Sequence, residues 1–117
     1  MKTQVWVTFN YGGWYLAFSK VFELGFTPFP GLVLFDDSVD GHEHQVEFVD
    51  NDYTTTMIHY KVSDKSFLVD VRNVWKHPVT EETIDYEIEN YARFGWIRED
   101  RTDIPALKEL MNRNAKR

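Results

Sequence analysis

The hydrophobic period of this chain changes once, near Pro78–Thr80, and that change sets its fold class. Upstream of it, apolar residues recur at every second position, the spacing of a half-buried strand. In 3–10, Val5, Val7 and Phe9 share one face, with Gln4, Trp6 and Thr8 on the other. Asn10-Tyr11-Gly12-Gly13 reads as a turn, and alternation resumes through Trp14, Leu16 and Phe18, which predicts an N-terminal hairpin. Leu32-Val33-Leu34-Phe35 is an apolar run too short for a helix. Further strands are expected at 42–50, 54–63 and 66–75, separated by Asp50-Asn51-Asp52 and Ser63-Asp64-Lys65. Spacing this close favours an antiparallel meander.

Downstream the period becomes helical. Thr80 is placed to cap a helix whose first turn carries Glu81 and Glu82, where the helix dipole favours acids. Ile84, Ile88, Tyr91 and Phe94 form one stripe, with Glu82, Asp85 and Glu89 opposite, and Gly95 supplies the stop. Trp96 and Ile97 are expected to return to the core. A second, short helix is expected after Thr102 or Asp103, with Pro105 in its first turn and Ile104, Leu107 and Leu110 buried. Residues 113–117 are expected to fray. The predicted fold is α+β within a single domain, 1–117. It has a five- or six-stranded, mainly antiparallel sheet or half-barrel, then one amphipathic helix and a short C-terminal helix.

At 117 residues one compact core is the default, and 43% hydrophobic content with four Trp, six Tyr and nine Phe argues against disorder. The absence of cysteine excludes disulfides and thiolate chemistry. No apolar segment follows Lys2 as a secretory leader requires, and none approaches the roughly 20 apolar residues of a membrane span. The expectation is a cytoplasmic protein without a membrane partner. A net charge of −6 disfavours direct nucleic-acid binding.

Twelve of the nineteen acids fall in two blocks that contain no Lys or Arg. Residues 36–52 hold seven carboxylates and two histidines, and Glu81, Glu82, Asp85, Glu87 and Glu89 form the second block. Asp36, Ser38, Asp40, Gly41 and Glu47 match positions of a twelve-residue calcium loop, where alternating oxygens wrap a hard cation. Glu43 stands where such a loop carries an apolar residue, and the flanks read as strands, not helices. His42 and His44, two apart on a strand, share a face and could reach one metal, with Glu47 or His59 as a third ligand. A divalent cation held by Asp36, Asp40, His42, His44 and Glu47 is therefore the one candidate cofactor.

Nucleophilic catalysis has no Cys and no Gly-x-Ser-x-Gly to rest on. Asp70 faces the same side of its strand as Leu68 and Arg72, which predicts a surface ion pair. Phe26 and Phe29, stiffened by Pro28 and Pro30, either plug the sheet core or form an apolar knob for a partner or a homodimer contact. The expected function is a non-enzymatic binding or interaction protein. Glu82, Asp85 and Glu89 would face a basic protein partner, or an aromatic-lined pocket would hold a small ligand. The alternative is a metal-dependent or acid–base enzyme built on the His-x-His strand.

Overall fold

A computed structural model describes residues 2–75 and 79–115. The elements run β1 (Lys2–Tyr11), β2 (Trp14–Glu23), β3 (Val33–Val39), β4 (His42–Glu47), β5 (Thr54–Lys61), β6 (Ser66–Val74), α1 (Glu81–Arg93), β7 (Ile97–Arg98) and α2 (Ile104–Ala115). β1 and β2 pair antiparallel from Lys2–Glu23 to Tyr11–Trp14. Gly12 and Gly13 close that hairpin with φ of 50° and 90°. A two-residue turn needs positive φ at both places to match the strands' twist, and glycine meets it without steric cost.

The fold is α+β, with a five-stranded mixed sheet ordered β5-β6-β1-β2-β7 and a separate two-stranded sheet, β3-β4. This differs from the expected antiparallel meander or half-barrel. β6 lies parallel to β1, with Val5 beside Val69 and Val7 beside Val71. Two apolar strand faces meet at the sheet centre, and a parallel pair requires a long crossover, which the intervening β2–β5 segment supplies. Because β3 and β4 pair with each other and leave the sheet, it stays open.

One face of the five-stranded sheet is covered. Val5, Val7, Leu16, Phe18, Val69 and Val71 point into a core shared with Val46 and Phe48, Ile84, Tyr91 and Phe94, Trp96, Leu107 and Met111. Phe18, Ile84 and Leu107 are each less than 2% exposed, and full burial of such a side chain contributes about 1.5–3 kcal/mol. Phe18 stacks on Tyr91 with ring centroids 4.3 Å apart, fixing α1 over β2.

α1 begins as the sequence predicts. The Thr80 hydroxyl accepts the Thr83 amide, and Glu81 and Glu82 fill the first turn. The Pro78 part of the expected helix start lies outside the described residues. α2 is capped by Asp103, whose carboxylate accepts the Ala106 amide at 3.1 Å. It continues through Ala115, and the last two residues of the expected frayed tail lie outside the described residues.

Trp96 returns to the core as expected, but Ile97 is 64% exposed. Residues 97 and 98 pair with β2 as a short strand at the edge of the sheet, and both stay exposed there. Phe26 and Phe29 are each 49% exposed, with ring centroids 6.2 Å apart. They touch each other and do not plug the sheet.

Candidate functional site

Asp36 ties the separate hairpin to the rest of the molecule. Its carboxylate accepts Lys20 Nζ at 2.9 Å, Trp96 Nε1 at 3.1 Å and His44 Nδ1 at 3.2 Å. Lys20 also donates to the Phe94 carbonyl at 2.6 Å. Burial alone would raise the Asp36 pKa, but the donors from Lys20, Trp96 and His44 outweigh it and hold the carboxyl below its usual value. The His44 ring meets Tyr91 edge-on at 4.5 Å and lies nearly parallel to Phe94 at 5.2 Å. That burial lowers the His44 pKa despite the pull of Asp36, so the ring is neutral at pH 7.

Beside this hub, β4, the β1–β6 centre of the sheet and α1 enclose a cleft of about 500 Å³. Its apolar wall includes Val7, Phe9, Val46, Val71 and Tyr91, and its polar wall includes Glu43, Glu47, Thr54, Asn73, Glu87 and Asn90. Several polar groups here are already used by the fold. The Thr54 hydroxyl donates to Asn73 Oδ1 at 2.8 Å, and Asn73 Nδ2 donates to the Thr8 carbonyl at 3.1 Å. Asn51 Oδ1 accepts the amides of Tyr53 and Thr54, each at 2.8 Å.

Glu87 and Asn90 differ from these. Asn90 is only 6% exposed, and its side-chain amide makes no hydrogen bond to another described residue. The Glu87 carboxyl is pushed up to about 7, and burial is the cause. The Tyr91 hydroxyl is driven well above its usual range by burial first, then by the charges of Glu87 and Asp36, so it stays protonated. Among the described residues the fully buried side-chain polar atoms without a partner are the hydroxyls of Thr3 and Thr8, so the Asn90 amide and the half-buried Glu87 carboxyl are not sealed from solvent.

The residues singled out in the sequence are dispersed around this geometry. Asp36 and His44 come together directly, as opposed residues of β3 and β4. Asp40, His42 and Glu47 are exposed. Asp40 and Gly41 form the hairpin turn, with φ of 49° and 77°. The twelve residues from Asp36 to Glu47 therefore run as two paired strands, not as a loop wrapped about a point. His59 sits on β5 opposite Leu68, on the uncovered face of the sheet. Among the described residues, no group of three or more His, Cys, Asp or Glu is placed to hold a metal ion.

Glu82 and Glu89 are exposed, while Asp85 accepts Lys108 Nζ of α2 at 2.7 Å. Asp70 and Arg72 pair at 3.0 Å as expected, within a groove of about 410 Å³ on the uncovered sheet face. Glu87 and Asn90 were not among the sequence candidates. The signal for Glu87 was present: it lies three residues after Ile84 and four before Tyr91, on the buried stripe itself.

No protein-family model matches this chain, and no curated protein or solved structure matches it.

Proposed function

We propose that this is a binding protein that takes a small ligand in the cleft between β4, the sheet centre and α1. The observation that carries the reading is the pair Glu87 and Asn90. Asn90 is buried and Glu87 half-buried, both line the cleft, and neither side chain is hydrogen-bonded to a described neighbour. Clefts of this size that combine apolar walls with a few convergent polar groups are the usual form of small-molecule sites.

The acidic helix face is the weaker basis for recognition. Asp85 is already engaged by Lys108, which leaves Glu82 and Glu89 as isolated surface charges. Exposed charges of that kind contribute little affinity on their own.

The test is backbone amide NMR of the labelled protein against a fragment collection. Binders are expected to perturb 43–47, 71–73 and 86–91 together. Fragment shifts confined to the Trp6–Arg72 groove or to the Phe26–Phe29 loop would contradict the assignment.

A second reading is favoured by one observation. A carboxyl titrating at about 7 is matched to general acid–base work near neutral pH. Recovery of every bound ligand chemically unchanged after prolonged incubation supports the binding reading, and conversion lost in Glu87→Gln supports the enzyme.

A further inference from the structure

Resting on that reading of the cleft, we propose that its ligand is a small organic cation, an ammonium or guanidinium carried on an apolar body, with Glu87 as counter-ion and Asn90 as a hydrogen-bond acceptor. Three observations converge on this class.

Charge is the first. Glu43, Glu47 and Glu87 all line the cleft, and among the described residues no Lys or Arg does. Lys20 on β2 is held by Asp36 and the Phe94 carbonyl and balances the hub instead. An anionic ligand would add a further negative charge beside these three acids. A cation relieves the charge already there.

Hydrogen bonding is the second. Asn90 is 94% withdrawn from solvent, and its carboxamide has no partner among the described residues. Its oxygen can accept an N–H that no described neighbour donates. With Glu87 one turn away on the same helix, two acceptors lie within reach of one donor-rich head group.

The walls supply the third. Phe9 and Tyr91 line the cleft together with Val7, Val46 and Val71. With one face of Phe9 stacked on Trp75 and one of Tyr91 on Phe18, these rings and the aliphatic walls offer apolar surface to the body that carries the charge. A bare metal ion gains nothing from such walls, and no three-ligand group among the described residues is placed to hold one.

Entry of the cation displaces the Glu87 proton, because the two positive charges compete for one carboxylate. The other groups facing this carboxyl do not blur the effect at neutral pH. Glu43 and Glu47 on β4 are exposed acids, His44 is kept neutral by burial, Tyr91 stays protonated, and β1 and β6 present no charged side chain to the cleft. Asp36 lies behind His44 and is neutralised by Lys20.

The experiment is a saturation-transfer NMR screen of matched triples, in which each aryl or alkyl body is offered as a primary amine, an alcohol and a carboxylate. Amines are expected to bind at least tenfold more tightly than their alcohol and carboxylate counterparts. Their affinity should fall about tenfold per pH unit below pH 7, as the carboxyl proton must be displaced. Glu87→Gln should weaken amine binding at least tenfold and abolish that pH dependence, and an unchanged or raised melting temperature shows that the variant folds. Alcohols or carboxylates binding in the cleft as tightly as amines would overturn the cation assignment while leaving the cleft as the site. Absence of any cleft binder across all three sets would overturn both.

Discussion

Asp36 and His44 face each other across the β3–β4 ladder, and the His44 ring donates to Asp36 Oδ2 at 3.2 Å. The pair comes from the acidic stretch whose charges suggested a cation site. In the folded chain Asp36 is answered from within, by Lys20 and by the indole of Trp96. Its first role is to fasten the hairpin to β2 and to the segment after α1. That attachment holds β4 where it forms one wall of the cleft.

Removing the fastener should loosen the hairpin. Asp36→Ala leaves Lys20, His44 and the Trp96 N–H without their acceptor, and hydrogen bonds to a charged group are worth about 1.5–3 kcal/mol. A loss of about 2–3 kcal/mol in urea-induced unfolding is expected, together with a changed Trp96 emission in the native state. A loss below about 0.5 kcal/mol would show that solvent replaces Asp36 without cost.

The helix stripe carries a second prediction. Ile84 is fully buried between α1 and the sheet, whereas Ile88 packs at the edge of the same core. Ile84→Ala should therefore cost about 3–4 kcal/mol and Ile88→Ala about 1–2 kcal/mol. Equal losses, measured by chemical denaturation, would contradict this placement of the helix.

What the sequence revealed divides along the range of the interactions involved. The alternation of Val5, Val7 and Phe9, the Gly12-Gly13 turn, the Thr80 cap and the Ile84–Phe94 stripe are local patterns, and each appears where its period places it. The parallel pairing of Val5 with Val69 joins segments more than sixty residues apart, and no local period encodes which strands meet. The same limit hid the Asp36 site, since Lys20 and Trp96 reach it from β2 and from beyond α1. Glu87 is a different case. Its position on the buried stripe was readable, but a carboxylate among acids on a helix is ordinarily a solvated one, and spacing was outweighed by residue type.

Acid sensitivity follows from opposed shifts. Asp36 and Asp100 both have lowered folded-state pKa values, so their contribution is complete above the unfolded value of about 3.9 and is lost as pH falls through the folded values. His44, lowered by burial, favours the unfolded state as pH falls below about 6.5, because only the unfolded chain then binds the proton. Glu87 acts in the opposite sense: raised to about 7, it stabilises the fold below its unfolded pKa, and that contribution is lost as pH rises through 7. Unfolding free energy should accordingly vary little between pH 7 and 5, where His44 and Glu87 oppose each other, and drop steeply below pH 4. A steep loss already between pH 7 and 5 would show that Glu87 contributes nothing.

Glu87→Gln should make the protein more stable at pH 8, by about 2–3 kcal/mol, because it removes a buried carboxylate held ionised at a cost. At pH 5, where the native carboxyl is protonated, the two proteins should unfold at nearly the same denaturant concentration. A variant less stable than the parent at pH 8 would mean that Glu87 makes a favourable contact when charged.

The cleft's standing as a site depends on Glu87 being partly withdrawn from water with no partner among the described residues, and its own titration reads that directly. With carbon-labelled glutamate, the Glu87 side-chain carboxyl resonance is expected to titrate with a midpoint near 7 in the free protein. A midpoint in the ordinary glutamate range, near 4.5, would show a solvated carboxyl and contradict the account of the cleft.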